Sequence, residues 1–311
     1  MTNLLEGSSL RDRLVILLWL GPIGVVFLAA AVLLAVIVRD TPLVSGFIQT
    51  FPGEYELPES APVGFPVWLN WQHFLNAFFL LLIVRTGWEV RTIRRPPAYW
   101  TRRNTGLITT KYPPMRMSLS LWLHLTLDVL WVLNGLTYVV LLFVSGQWMR
   151  IVPTSWEVFP NALSAAIQYA SLDWPTTNGW VNYNSLQQLA YFSIVFVAAP
   201  LAIITGIRLS PLWNQRFRRF DKTFPITVAR AIHFPVMLYF VLFTIAHVAL
   251  VLATGALRNL NRMYAAQDAV NWVGFTIFAA SVVVMIGAWM LARPLFLRPI
   301  ASLGGTVTRG R

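Results

Sequence analysis

Six long apolar stretches constrain the fold of this 311-residue chain more than any other feature of its sequence. Each is close to the roughly 20 residues that cross a bilayer core as a helix. Only the third contains a charged residue, Asp128. Because a helix satisfies its own backbone hydrogen bonds in lipid, the stretches predict an all-α, polytopic membrane protein with six transmembrane helices. The predicted spans are Leu14–Val38, Pro66–Val84, Met117–Val144, Leu186–Ile207, Ala231–Leu257 and Ala269–Ala292.

The composition supports this class of protein. Hydrophobic residues make up 57% of the chain and charged residues 12%, about half the charged fraction of a soluble domain. The first stretch is too long for the apolar part of a signal peptide, so we expect a retained span. No linker or internal repeat is evident, which predicts one integral membrane domain over residues 1–311. Cysteine is absent, which excludes disulfides, thiolate-bound iron–sulfur clusters and covalently attached haem.

Basic residues are distributed unequally between the predicted loops. Twenty of the 24 lysines and arginines lie before the first span, between the second and third, between the fourth and fifth, or after the sixth. Because such an excess marks the cytoplasmic side, we predict a protein of the cell membrane with both termini in the cytoplasm. The net charge of +12 is therefore attributed to loop topology and not to nucleic-acid binding. Contact with membrane lipid or a docking partner is the alternative use of this charge.

All four histidines of the chain, His73, His124, His233 and His247, fall in predicted spans. A titratable ring in hydrocarbon is costly and marks a functional site, although a hydrogen bond across a helix interface is the simpler alternative. His233 and His247 are fourteen residues apart, which gives one helix face and a difference in rise of about 21 Å. With the predicted orientation, His73 and His247 lie near the outer surface, and His124 and His233 lie near the cytoplasm.

The two histidine levels predict two bis-histidine haem b sites. A central four-helix haem-binding bundle over about residues 66–257 would hold them, with extra spans at about 14–38 and 269–292. Di-iron sites need glutamates, zinc hydrolase sites need clustered ligands, and a Schiff base needs a buried lysine. The only lysines, Lys111 and Lys222, lie in loops. A secondary transporter or proton pathway that uses the buried histidines and Asp128 is the alternative function.

Segments around the histidines carry a resemblance to the two-haem cytochrome b subunits of membrane formate dehydrogenases, nickel–iron hydrogenases and thiosulfate reductases. They are Gln72-His73-Phe74, Trp122-Leu123-His124, Ala231-Ile232-His233-Phe234-Pro235 and Ala246-His247. The chain also resembles cytochrome b/b6-domain proteins thought to accompany molybdopterin oxidoreductases. The resemblance covers about Pro66 to Leu257.

The resemblance implies axial ligand pairs His73–His247 and His124–His233. It implies an electron-transfer subunit, and not a stand-alone enzyme, that works between a redox partner and a quinone. The partner would be a molybdopterin, hydrogenase or iron–sulfur protein, and the quinone menaquinone or ubiquinone. The extra first and last spans depart from four-span members of the group, which leaves open the face on which the partner docks.

Further polar and small residues have more than one interpretation each. Asp128 lies four residues after His124 and could accept a hydrogen bond from its non-ligating nitrogen, relay protons near a quinone, or pair with an arginine. Glycines in the spans could admit a flat macrocycle or serve helix packing: Gly87, Gly135, Gly206 and Gly274. Arginines at span ends could pair with haem propionates or only mark topology: Arg85, Arg208, Arg230, Arg150, Arg258 and Arg262.

The long connection from Ser145 to Ser185 is predicted on the outer side and is rich in tryptophan. Aromatic anchoring at the membrane interface accounts for most of these rings. Within the connection, residues Asn161 to Leu172 are predicted to form a short helix on the membrane surface. A loop of this length is often functional, so it could cap a cofactor or receive a partner.

Overall fold

The computed structural model describes residues 10–105, 109, 113–174, 179–211, 213 and 220–310, with side chains from residue 18 onward. Lys111 and several predicted loop arginines lie outside the described residues: Arg216, Arg218, Arg219 and Arg311. Six helices are long and apolar enough to cross a membrane, which confirms the predicted class of fold. They are Leu18–Arg39, Val67–Thr92, Leu119–Val144, Ser185–Leu209, Ile226–Ala253 and Val273–Leu291.

The helices are named here in chain order. They are α1 (Leu10–Arg39), α2 (Pro42–Thr50), α3 (Val67–Thr92), α4 (Leu119–Val144), α5 (Val158–Ala170), α6 (Ser185–Phe192), α7 (Ala199–Leu209), α8 (Ile226–Ala253), α9 (Ala256–Ala265), α10 (Val273–Leu291) and α11 (Pro294–Gly304). A π-helical segment, Ser193–Ala198, joins α6 to α7, so that the fourth span is continuous. The strands are β1 (Ala98–Arg102), β2 (Arg116–Ser118) and β3 (Gly305–Arg309).

Several span boundaries differ from the prediction by a few residues, and two of the differences have a local reason. Helix α3 continues past the predicted end at Val84, because Arg85 and Glu89 form an ion pair of 3.1 Å one turn apart that supports a further stretch of helix. Helix α8 ends at Ala253 and not at Leu257, because Gly255 adopts a φ of +120° that favours glycine. The chain then turns into α9.

The residues fall into two compact units. The first comprises the described residues of Met1–Glu59 and Met149–Tyr191, and it buries several polar side chains beside apolar ones. The backbone N–H of Gly53 donates to Oδ1 of Asn161 at 2.9 Å, and the buried Arg150 donates to the carbonyls of Gly179 and Trp180. The predicted helix from Asn161 is confirmed as α5 and begins at Val158. Its position on a membrane surface stays a prediction.

The second unit comprises Ser60–Trp148 and Phe192–Arg311 and contains all four histidines. Helix α3 packs along α4, and α7 packs along α8. These two hairpins carry the four histidines, and close backbone contacts run mainly within each hairpin. Helices α9 and α10 pack on each other and on α3.

A small antiparallel sheet that the sequence analysis did not predict closes one end of the second unit. Its strand order is β2–β1–β3, with Trp100 of β1 opposite Met117 of β2 and Val307 of β3. The Trp100 side chain is buried, and its Nε1–H donates to the carbonyl of Ala301 at 2.9 Å. A side chain at Gly305 would collide with the Trp100 ring. The sheet therefore joins the C-terminal segment to the connection between α3 and α4.

Candidate functional site

The structure brings His73 of α3 and His247 of α8 together. Their ring centroids lie 6.2 Å apart, with the ring planes inclined at 54°. Two imidazoles that bind one metal ion from opposite sides, through bonds of about 2.0–2.1 Å, would have ring centres roughly 6.4 Å apart. The observed centroid separation is close to this value.

Aromatic side chains surround this pair. The His73 ring meets Tyr264 of α9 edge-on at 5.6 Å, and the His247 ring stacks on Phe243 at 5.5 Å. Burial raises the pKa of the Tyr264 hydroxyl. Nδ1 of His73 is buried and has no hydrogen-bond partner among the described residues. The sequence analysis did not single out Tyr264, which lies on a short helix outside the spans.

At the second level, His124 lies on α4 and His233 on α8, and the two hairpins meet there through the rings of Trp88 and Phe234, whose centroids are 6.2 Å apart. Each ring has a threonine hydroxyl beside it. Oγ1 of Thr86 lies 3.0 Å from Nδ1 of His124, and Oγ1 of Thr205 lies 2.8 Å from Nδ1 of His233. The sequence analysis missed both threonines.

The threonines determine which ring nitrogen carries the proton. Thr86 donates its hydroxyl proton to the carbonyl of Leu82 at 2.8 Å, and Thr205 donates to the carbonyl of Leu201 at 2.6 Å. A carbonyl can only accept, so each hydroxyl oxygen accepts a hydrogen bond from the N–H at Nδ1 of its histidine. Nε2 then carries the free lone pair, which is the form of imidazole that binds a metal.

A glycine follows each of these threonines and lies against the same histidine. A Cβ atom at Gly87 would come within 3.1 Å of Cε1 of His124, and one at Gly206 within 3.5 Å of Cε1 of His233. The two hairpins thus repeat one arrangement, a Thr-Gly pair on the first helix facing a histidine on the second. The sequence feature that could have indicated this arrangement is a Thr-Gly dipeptide near the basic end of two spans.

The other two glycines behave differently. A Cβ at Gly135 would meet nothing within 4 Å, whereas one at Gly274 would lie 2.4 Å from the backbone of Asn261. Gly274 therefore allows α10 to pack closely on α9, as the helix-packing interpretation predicts. The Asn261 side chain is buried and accepts a hydrogen bond from the backbone N–H of Gly274.

An aromatic layer separates the two histidine pairs. Phe240 lies seven residues from both His233 and His247 on α8, or about 10.5 Å along the axis from each. Its buried ring meets Trp131 of α4 edge-on at 6.1 Å. Trp131 in turn lies seven residues after His124. The two hairpins therefore contact each other through side chains between the two levels.

Asp128 lies beside His124, but on the opposite side of the ring from the one predicted. Its Oδ2 is 3.6 Å from Nε2, a distance too long for a hydrogen bond. Thr86 occupies Nδ1, so the prediction that Asp128 accepts from the non-ligating nitrogen is wrong. Among the described residues no arginine forms an ion pair with Asp128. Its predicted role as a proton relay stays a prediction.

Several candidate arginines have protein partners. Arg85 donates to the carbonyls of Trp289 and Ala292 as well as to Glu89. Arg208 pairs with Asp221 at 3.3 Å, and Arg262 pairs with Asp268 at 2.9 Å. Arg150 belongs to the first unit. These contacts favour a structural role for the arginines over the pairing with propionates.

The donor set suits a haem better than a bare metal ion. Within the described part of the chain, no cluster of three or more His, Cys, Asp or Glu side chains could hold a metal ion. Protein zinc sites take three or four side-chain ligands. A haem iron has four macrocycle nitrogens and needs only one or two axial ligands. Two histidines per level therefore fit a haem.

Comparison of the chain with known protein families, curated protein sequences and solved structures finds no match. An interpretation of function therefore depends on the geometry of the two histidine pairs and their neighbours.

Proposed function

We propose that this protein is a di-haem membrane cytochrome b that transfers electrons across the bilayer, between a partner oxidoreductase and the quinone pool. The observation that carries the proposal is the placement of all four histidines on two helical hairpins. The His73 and His247 rings lie 6.2 Å apart, and the hairpins also meet beside His233, through Trp88 and Phe234. The spacing of the His73 and His247 rings and the free Nε2 of His124 and His233 suit axial ligation.

In this proposal His73 and His247 hold one haem b, and His124 and His233 hold the other. When bound, haem supplies one-electron chemistry through its iron, and the protein supplies orientation and electrostatics. Two axial imidazoles leave the iron no open position, which suits electron transfer better than catalysis on a substrate. The hydroxyls of Thr86 and Thr205 keep the inner imidazoles in the tautomer that can coordinate.

The excess of basic residues supports a location in the cell membrane with both termini on the cytoplasmic side. His124 and His233 then form the inner pair, and His73 and His247 the outer pair. His233 and His247 are separated by about 21 Å along α8, so the two haems would connect opposite halves of the bilayer. The partner would be a molybdopterin, hydrogenase or iron–sulfur subunit, with menaquinone or ubiquinone at the other end of the path.

The test is the haem content of the purified full-length protein and of three variants. A pyridine haemochrome assay should give two haems b per chain for the native sequence and one each for His124→Ala and His247→Ala. Thr137→Val is the matched control, because its exposed hydroxyl bonds only within α4, at 3.0 Å to the carbonyl of Leu133. It should keep both haems.

Two results would overturn the proposal. If both histidine variants retained two haems, the ligand assignment would be wrong. If protein purified from haem-replete cells contained no haem, the transporter or proton-pathway function would be favoured instead.

A further inference from the structure

Helix α11 begins almost immediately after the last predicted span. Helix α10 ends at Leu291 and α11 starts at Pro294, with the proline in the first turn where its missing N–H costs nothing. The 11 residues of α11 extend about 16 Å, which is too short to cross a bilayer. A helix joined so closely to the end of a span has to lie near the membrane surface.

One face of α11 is part of the protein interior. Ala301 is buried in a hydrophobic cluster with Ala98, Trp100 and Leu119, and Leu297 packs against that cluster. The sheet therefore packs on the face of α11 that carries Leu297 and Ala301, and the hydrogen bond from Trp100 to the carbonyl of Ala301 fixes the position of the helix.

The opposite face of α11 is apolar and exposed. Leu295 is 76% exposed, Phe296 47%, Ile300 58% and Leu303 81%. At about 100° per residue, these four side chains fall within an arc of roughly 140° that excludes Leu297 and Ala301. An apolar surface of this kind facing water is unfavourable and indicates a partner that covers it.

Exposed arginines lie around this face, and Glu89, which lines a pocket with Arg293 and Leu297, is paired with Arg85 at 3.1 Å. No aspartate or glutamate occurs between residues 90 and 127 or after residue 268. Arg293 and Arg309 are exposed at the start of α11 and on β3. Arg103 is also exposed and donates to the carbonyl of Ser302 at 3.0 Å, so its charge is held against the end of the helix. The partner of this surface should therefore be both apolar and anionic.

We propose that α11 lies in the plane of the membrane, with its exposed apolar face among the acyl chains and its neighbouring arginines on anionic phospholipid headgroups. A helix that combines an apolar face with basic flanks is typical of the membrane interface. The continuity with α10 favours lipid as the occupant over a protein, because the bilayer is already present at that point of the chain. This inference does not depend on haem binding.

The absence of cysteine from the sequence makes a direct test simple. Leu303→Cys places a fluorescent label on the apolar face, and Thr308→Cys places the same label on an exposed position of β3. Thr308 neighbours Val307, whose side chain packs toward the α11 cluster, so alternation along the strand points Thr308 away from α11. In nanodiscs, the label at 303 should be quenched by lipid-borne quenchers and protected from iodide. The label at 308 should show the reverse.

The anionic part of the proposal has its own measurement. Brominated phosphatidylglycerol should quench the label at 303 at a lower mole fraction than brominated phosphatidylcholine does. Replacing Arg293 or Arg309 by Gln should reduce the preference for phosphatidylglycerol about fivefold for each arginine removed. Arg258→Gln is the control, because that exposed arginine belongs to the predicted outer side.

Each contrary result would overturn a defined part of the proposal. Equal access of iodide to positions 303 and 308 would show that lipid does not cover α11. Protection that appears only in vesicles with many chains would assign the face to a second copy of the protein. Equal quenching by the two lipids would remove the anionic headgroup from the assignment.

Discussion

The hydroxyl of Thr86 accepts a hydrogen bond from Nδ1 of His124 at 3.0 Å, and this contact is repeated by Thr205 and His233 at 2.8 Å. At the other level, Nδ1 of His73 has no acceptor among the described residues. A hydrogen bond from the far nitrogen raises the basicity of an imidazole ligand. His73 therefore differs from His124 and His233 in its hydrogen bonding.

Replacing Thr86 by Val should weaken the inner haem site of the proposed cytochrome. The N–H at Nδ1 of His124 would lose its acceptor, and haem affinity at this site should fall about 10- to 100-fold. The midpoint potential of any haem retained there should rise, because a less basic ligand stabilises the ferric form less. A spectroscopic redox titration measures both effects.

Two variants make this prediction specific. Thr86→Ser keeps the hydroxyl and should restore the native potential, and Thr137→Val removes a helix-internal hydroxyl without touching a histidine. If Thr86→Val and Thr137→Val gave the same two potentials as the native protein, the threonine would have no part in the site.

Gly87→Ala and Gly206→Ala should differ, although both glycines face a histidine. The new Cβ at position 87 would lie 3.1 Å from Cε1 of His124, which forces the ring to move. At position 206 the distance to His233 is 3.5 Å, an ordinary van der Waals contact. Overpacking of this kind costs about 1–3 kcal/mol, so only Gly87→Ala should reduce inner haem occupancy. Equal haem occupancy of the inner site in Gly87→Ala and Gly206→Ala would contradict the difference between these two distances.

Gly274→Ala should destabilise the protein whether or not haem is bound. Its Cβ would lie 2.4 Å from backbone atoms of Asn261, which cannot move without shifting α9. We expect a loss of about 1–3 kcal/mol, seen as a lower melting temperature in detergent. Gly287→Ala lies on the same helix with nothing within 4 Å of its Cβ and should cause no loss. A stable Gly274→Ala variant would show that α9 and α10 pack less tightly.

Glu54, in the first unit, should make stability depend on pH. Burial raises the pKa of its carboxyl above 4.5, so the folded state favours the protonated form. The stabilisation of the folded state by the proton on Glu54 is fully present below about pH 4.5. It is lost as the pH rises through the raised pKa of the folded state. Glu54→Gln should therefore increase the melting temperature at pH 7 and have little effect at pH 4.

The control for this prediction is Glu59→Gln, which changes an exposed carboxylate on the same segment. Melting curves of both variants between pH 4 and pH 8 give the comparison. A pH-independent difference between Glu54→Gln and the native protein would exclude burial of the charge as the cause.

The spans were predictable because lipid restricts the backbone to a few forms, and apolar length alone then identifies a helix. The approach of His73 to His247 followed from helical rise together with loop charge, two properties that are independent of side-chain detail. The structure brings these rings together as predicted. Their role as haem ligands stays a prediction.

The sheet and the threonine contacts were not predictable in the same way. Strands β1 to β3 have three to five residues, too few for an alternating pattern to stand out, and β3 pairs with a segment about 200 residues earlier in the chain. Thr86 and Thr205 look like ordinary span residues until the neighbouring helix is in place. The error over Asp128 has the same origin, because spacing along α4 gives the side of the helix but not the orientation of the His124 ring.

Each histidine pair takes one ring from the first hairpin and one from the second. His73 and His124 are synthesised well before His233 and His247, so a nascent chain that stops short of α8 has neither site. Whatever binds between these rings can be captured only after the second hairpin has entered the bilayer beside the first. In the proposed cytochrome, haem would therefore bind late in biogenesis, and a truncation that removes α8 should abolish both sites at once.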